Sequence, residues 1–282
     1  MRRQLVVPTV LAVMAPFALA ACGGGGNPRA AVVAAATKTL SLTAVSNLAV
    51  SGGTMFAAPV LGEGEFAFAT GLGYQAVDLP RTSSAQAGRE YLLYLPGSLY
   101  VEPIHASLPG GRRWVRLSAA GAASAGAAMS GAVARAEALD PQLLLDEIVS
   151  GTVAAASSGT VVVDHVPLSK YVVTVSLTRA LATVSDPRAG AARAALEQEA
   201  AAERSLAHAG SVRITVWVDV AGRVVMLEAA LPGAGFGSVT ITLSAFGTPI
   251  SSRPNLPLAE QVVDLAALTP AARAQALAPW AG

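Results

Sequence analysis

Apolar residues recur at every second position over much of this chain. From about Thr39 the pattern has Leu40 and Leu42 alternating with Ser41 and Thr43. Short strands are predicted at 64–70, 89–95, 99–102 and 113–117, punctuated by turn residues such as Pro96-Gly97-Ser98 and Pro109-Gly110-Gly111. The second half carries the same period more clearly. Residues 160–166 and 170–177 read as a strand pair joined across Pro167. Val212, Ile214, Val216 and Val218 then alternate with Arg213, Thr215, Trp217 and Asp219. After an Ala221-Gly222 turn comes a strand over 223–231, and later Val239, Ile241 and Leu243 alternate with Thr240, Thr242 and Ser244. Period-two alternation marks a sheet with one apolar and one wet face. Consecutive strands joined by tight turns pair antiparallel.

Three helical stretches interrupt the strands. Asp140-Pro141 places an N-cap before proline at the first helical position, Gly151 closes the segment, and Leu144, Leu145, Ile148 and Val149 form its apolar stripe. Asp186-Pro187 repeats the start signal before an Ala/Glu/Arg-rich run to His208, and Thr269-Pro270 opens a last short helix. Such helices must bury a stripe, and the apolar face of the sheet is the available partner. Residues 118–138 are almost wholly Ala, Gly, Ser and Met, with Gly121, Gly126 and Gly131 each lowering helix stability by about 1 kcal/mol relative to alanine. They read as a mobile loop or marginal helix, either a lid over a pocket or a low-complexity surface insertion.

The N-terminus follows a different pattern. Arg2 and Arg3 precede an apolar run over 5–20 that Pro8 and Pro16 interrupt, too short and broken for a spanning helix of about 20 apolar residues. A charged n-region, a short h-region and small residues at the cut site describe a secretory signal peptide. Leu19-Ala20-Ala21-Cys22 resembles the lipobox of bacterial lipoproteins. That resemblance implies that residues 1–21 are removed and that the Cys22 thiol carries a diacylglyceryl group. Residues 22–37 then read as a lipid-anchored flexible tether, opening with four glycines at 23–26, and residues 38–282 as a single domain.

Charge and composition narrow the partners. The 19 Lys+Arg and 18 Asp+Glu nearly cancel, which argues against nucleic acid as a partner, since that needs a basic face. Cys22 is the single cysteine, so an acylated Cys22 leaves no disulfide and no thiolate metal site. Hydrophobic residues make up 53% of the chain and charged residues only 13%, more apolar material than one compact core uses. Such surface can line a pocket for a greasy ligand, although a GC-rich genome also enriches alanine.

Catalytic patterns find little purchase. There is no Gly-x-Ser-x-Gly elbow, and His105, His165 and His208 lie far apart, outside any His-Glu-x-x-His helix. His208 in the last turn of its helix complements the helix dipole. Gly71-Leu72-Gly73-Tyr74-Gln75-Ala76 matches a dinucleotide pattern by letters, but no helix pattern follows, so it reads as a turn before a strand. Asp146-Glu147 and the Glu197/Glu199 pair read as solvated charges on polar helix faces. The chain is therefore not expected to be an enzyme, and no cofactor or metal is called for.

Several phrases in order carry a further resemblance: 111–117 (Gly-Arg-Arg-Trp-Val-Arg-Leu), Asp140-Pro141 with its leucine helix, 216–224 (Val-Trp-Val-Asp-Val-Ala-Gly-Arg-Val), 246–250 (Phe-Gly-Thr-Pro-Ile) and 262–265 (Val-Val-Asp-Leu). The succession is similar to the actinobacterial LppX/LprG-type lipoproteins, which share the fold of the periplasmic LolA-like carriers. It implies an α+β fold, a bent antiparallel half-barrel with helices packed on its concave face. It also implies an apolar cavity that accepts acyl chains of a lipid or glycolipid, carriage across the envelope without a cofactor, and residence at the outer face of the cell membrane. The membrane is then a partner through acylated Cys22; an envelope transporter as a further partner stays open. The Ala/Gly-rich stretch after Leu117 and the long helix before His208 depart from that pattern and leave the size and entrance of the cavity unsettled.

Burying an acyl chain gains about 0.8 kcal/mol per methylene, so valine and leucine walls suffice to hold it. Ile214, Val216, Val218, Ile241 and Leu243 on the late strands and Leu144 and Ile148 on the helix are the expected lining, with plain core packing the alternative for each. Trp114 and Trp217 stand either at the rim or on the outer face. The competing function is an envelope interaction or sensor module on the same fold with a filled core.

Overall fold

A twelve-stranded sheet organises the molecule, in the order β12-β6-β5-β4-β3-β2-β1-β11-β10-β9-β8-β7. The structure, a computed structural model, describes residues 26–280 apart from 53–58, 82–85, 97, 105, 118–126, 184–209, 232–234, 236 and 251–255. The strands are β1 (Thr43–Ser51), β2 (Val60–Ala67), β3 (Leu72–Leu79), β4 (Gly88–Leu95), β5 (Ser98–Glu102), β6 (Trp114–Leu117), β7 (Thr152–Val163), β8 (Val166–Ser176), β9 (Ser211–Val218), β10 (Val224–Ala230), β11 (Ser238–Ser244) and β12 (Val262–Asp264). Every neighbouring pair is antiparallel except β12 on β6. The two ends, β7 and β12, do not meet, so the sheet is an open half-barrel.

Two meanders make up this order. Strands β1 to β6 follow one another outward in one direction and β11 back to β7 in the other, and β1 joins β11 in register from Val45↔Ser244 to Ser51↔Ser238. The approach of β2 to β3 is close, and its cause is atomic. At Gly64 on β2 a Cβ would lie well inside 3.0 Å of the Tyr74 carbonyl oxygen, and at Gly73 on β3 it would strike the Phe66 ring. Only glycine allows β2 and β3 to approach this closely on their inner face.

The described residues form five helices, α1 (Pro28–Thr39), α2 (Ala127–Glu137), α3 (Pro141–Gly151), α4 (Leu177–Thr183) and α5 (Pro270–Ala276), of which α1, α3 and α4 pack on β7 to β10. Asn27 caps α1, its side chain accepting from Arg29 N at 3.1 Å. At the other end the buried Thr39 hydroxyl donates to Ala35 O and accepts from Val224 N, both at 2.9 Å, fastening α1 to the start of β10. α3 starts as its sequence predicts, with the Asp140 side chain accepting from Gln142 N.

Several expectations need correction. The segment 22–37 is not tether throughout: from Pro28 it is helix α1, with Val32, Ala35 and Ala36 buried, and β1 begins at Thr43 rather than near Thr39. The β7–β8 hairpin turns at Asp164 and His165, whose φ values are 47° and 66°, and Pro167 lies inside β8. A left-handed pair of turn residues matches the twist of the flanking strands, so the hairpin closes there and not at the proline. Within 118–138, Ala127–Glu137 is helix α2, and its residues Ala132, Val133, Ala134 and Ala136 belong to the core. The segment thus contributes an inner-layer helix. Asp146 and Glu147 are not both solvated: α3 is enclosed by α1, α4, β7 and β8, and Glu147 is fully buried. The predicted helix from Asp186 to His208, with the Glu197/Glu199 pair, lies outside the described residues, as do Cys22 and His105.

Candidate functional site

The inner face of the sheet reads as cross-strand rows. One row runs Val173, Ile214, Ala229, Val239, Val50, Val60 over six neighbouring strands. The next runs Tyr171, Val216, Leu227, Ile241, Leu48, Gly62, Val77, Glu90. Leu243 stands opposite Ser46, and Val218 opposite Ser169 and Val224 at the end of β9. Facing them from the helix layer are Leu144 and Ile148, one turn apart on α3. All seven sequence-predicted lining residues therefore meet in one apolar interior.

Their burial is nearly complete. Ile148, Ile214, Val216 and Ile241 have no water-accessible surface, Leu144 and Leu243 retain 2%, and Val218 8%. In the form described, no water-sized space adjoins the first four. Fully burying side chains of this kind stabilises by about 1.5–3 kcal/mol each. The helix layer mixes small and large side chains: the buried residues of α1 include Ala35 and Ala36 and those of α2 Ala132, Ala134 and Ala136, whereas α3 buries Leu143, Leu144, Leu145 and Ile148.

Polar groups that the sequence reading passed over lie on the same face. Tyr94 Oη donates to Gln75 Oε1 at 3.0 Å, and Gln75 Nε2 reaches Ser46 Oγ at 3.5 Å. Burial pushes the Tyr94 phenol well above its ordinary range, with the charges of Asp140 and Glu137 adding to the effect. Tyr94 also packs against Phe66, which stacks on Phe68, at centroid distances of 5.5 and 5.8 Å. Glu90, on the inward side of β4, accepts from Trp280 Nε1 at 2.9 Å, and burial lifts its carboxyl to about 8 against that hydrogen bond. Desolvation likewise raises Asp140 to about 7 and Asp146 to about 6. Arg135 on α2 donates from Nε to Trp280 O at 2.7 Å, and burial lowers its guanidinium to about 10, still charged at neutral pH.

Period two carried a signal for these residues. Glu90, Leu92 and Tyr94 share one side of β4, and Gly73, Gln75 and Val77 one side of β3. A polar residue in an otherwise apolar row marks a buried hydrogen-bonding group. Trp280 had no such signal, because its partner is Glu90, distant in sequence.

The outer face is polar and cross-linked. Arg89 pairs with Asp78 and Glu63, Arg113 with Glu102, and Arg116 with Asp264. Trp217 lies outward beneath the Lys170 ammonium, 5.1 Å from the ring centroid, and Trp114 alternates with the inward Val115 and Leu117. Among the described residues no group of three or more His, Cys, Asp or Glu is placed to hold a metal ion. No helix among them is long and apolar enough to cross a membrane.

No protein-family profile and no curated protein matches the chain. Among solved structures it is similar to LprF from Mycobacterium bovis, at 16% identity over 81% of this chain and 96% of that one, with a TM-score of 0.43. Similarity to the Mycobacterium tuberculosis lipoprotein LppX stands at 14% identity, 79% and 96% coverage and a TM-score of 0.41. A LolA superfamily protein from Nitrosomonas europaea is similar at 8% identity, 80% and 95% coverage and a TM-score of 0.28. LprF and LppX are lipoproteins of the LppX/LprG type, and none of the three is named as an enzyme. The likeness is one of architecture, an open antiparallel sheet with helices.

Proposed function

We propose that this protein is a membrane-anchored lipoprotein that holds the acyl chains of a lipid or glycolipid between its sheet and its helices and carries it across the cell envelope. The observation that carries the reading is the inner face itself. Continuous apolar rows cross the half-barrel from β8 to β2, and the helix layer adds Leu144 and Ile148 of α3 to the same apolar interior. Acylated Cys22 would then keep the domain beside its lipid source, because the chain from Cys22 to Pro28 spans about 20 Å at most when extended. The lining would be Leu144, Ile148, Ile214, Val216, Val218, Ile241 and Leu243.

One observation favours the second reading, an envelope interaction or sensor module. Four of those seven residues have no water-accessible surface, as a filled core requires. Carriage therefore needs the cover to open. Native mass spectrometry of the protein purified from a lipid-rich host, followed by organic extraction, separates the two. A lipid bound at fixed stoichiometry supports carriage. A bare mass, repeated after incubation with lipids of its own envelope, leaves the interaction module.

A further inference from the structure

Residues with no water-accessible surface, such as Ile214, Val216 and Ile241, admit an acyl chain only where part of their cover gives way, and residues 265–280 hold the inner face through a polar contact. After Asp264 the backbone leaves the sheet and runs as helical turns: Leu265–Ala267, α5 and Ala278–Trp280. The Thr269 cap and the Arg273 guanidinium bond within residues 265–277, to Ala272 N, Leu265 O and Ala266 O. Trp280 instead reaches across. Its indole N–H donates to Glu90 on β4 and its carbonyl accepts from Arg135 on α2, with all three residues at 7% exposure or less.

The position of Glu90 gives this clasp its meaning. It terminates the same cross-strand row that contains Val77, Gly62, Leu48, Ile241, Leu227 and Val216. Six strand spacings separate Glu90 from Val216, about 29 Å along the sheet at ~4.8 Å each. One end of the row is therefore hydrocarbon and the other a buried carboxyl, joined through Trp280 to the Arg135 guanidinium. For structure alone, apolar side chains would fill this place at lower cost than a buried carboxyl and an indole N–H, which demand matched partners.

We propose that Glu90 and Arg135 form the polar end of the acyl-chain site and that Trp280 occupies it as a built-in stand-in for the ligand. The ligand must offer what Trp280 offers: one hydrogen-bond donor to the Glu90 carboxyl and one acceptor oxygen to Arg135. An acylated polyol does so through a hydroxyl and an ester carbonyl. Its binding expels Trp280 from Glu90 and Arg135, loosens residues 277–280 and opens the β4 end of the row to the chain. The inference rests on the lipid-binding reading and adds the headgroup chemistry and the moving part.

The test uses the full chain in phosphatidylcholine nanodiscs, with a long-chain 1-monoacylglycerol as the probe and the n-alkane of equal chain length as the control. Saturating monoacylglycerol is expected to speed hydrogen exchange at the Leu277 and Trp280 amides at least tenfold, and the alkane to leave it unchanged. Trp280→Phe keeps the ring but loses its bond to Glu90, and is expected to bind the monoacylglycerol roughly fivefold more tightly, the equivalent of one hydrogen bond. Binding with unchanged exchange and equal affinity for wild type and Trp280→Phe overturns the stand-in while sparing the lipid-binding reading. No binding of either probe to either protein overturns both. Should Trp280→Phe fail to unfold cooperatively, the exchange measurement on the wild type decides by itself.

Discussion

Replacing Glu90 by glutamine should make the protein more stable at high pH and nearly unchanged at low pH. Glu90 is buried on the inner face, and its carboxyl titrates near 8 instead of an ordinary 4.5. Below about pH 4.5 the group is protonated in both the folded and the unfolded chain and contributes no pH dependence. Between about 4.5 and 8 the folded protein keeps a proton that the unfolded chain has released, so stability falls as pH rises. Each pH unit in that window costs about 1.36 kcal/mol, which sets a ceiling of about 5 kcal/mol for the whole shift. Glutamine keeps the acceptor for Trp280 Nε1 and cannot ionise. Asp140 and Asp146 slope the wild-type curve in the same sense from their own raised values near 7 and 6, so the difference between the two proteins isolates Glu90. Urea unfolding at pH 5, 7 and 9 measures it. The expected result is near-equality at pH 5 and a growing advantage for Glu90→Gln above it. Parallel curves for the two proteins would refute the reasoning, since they require a Glu90 carboxyl that is solvated when folded.

Gly64→Ala should cost about 2–3 kcal/mol in urea unfolding, because its methyl group must push β2 from the Tyr74 carbonyl; an unchanged midpoint would mean the sheet bends elsewhere. Thr39→Val should cost about 1–3 kcal/mol by leaving the buried Val224 N–H without its acceptor, and amide exchange at Val224 should rise in parallel. Val216→Trp overfills the hydrocarbon end of the row, with an expected loss of about 1–3 kcal/mol and of any co-purifying lipid. Lipid retained at wild-type stoichiometry in the Val216→Trp protein would remove the row as its seat.

The late strands were legible because alternation is a local property. Val212 to Val218 and Val239 to Leu243 place their inward residues as written in the chain. Helix α3 was legible for the same reason, its Asp140 cap and Gly151 end lying within one segment. Alanine-rich α1 escaped notice: its amphipathic signal is slight, and packing on β7 to β10 rather than local pattern makes it a helix. Asp146 and Glu147 were misjudged because their environment is set by α1 and α4, which the local sequence does not encode. That the seven residues expected as lining are buried together could be read from period alone, whereas the place of Glu90 at the end of the row through Val216 and Ile241 needed the register. Nothing near Glu90 in the chain announces Trp280, and nothing near Tyr94 announces Gln75 and Ser46.

The seam between β1 and β11 has a consequence for how the molecule is made. Val45 pairs with Ser244, residues nearly 200 positions apart, whereas every other antiparallel contact in the sheet joins strands that are neighbours in the chain. Each meander can therefore assemble from local contacts at low contact order, but the closing step has to wait for the whole chain. Until β11 has emerged from the ribosome, β1 presents an unpaired strand edge, the kind of edge on which chains aggregate. A cell making this protein would need to keep that edge occupied or the nascent chain unfolded, and the slowest phase of refolding in vitro should track the zipping of β1 to β11.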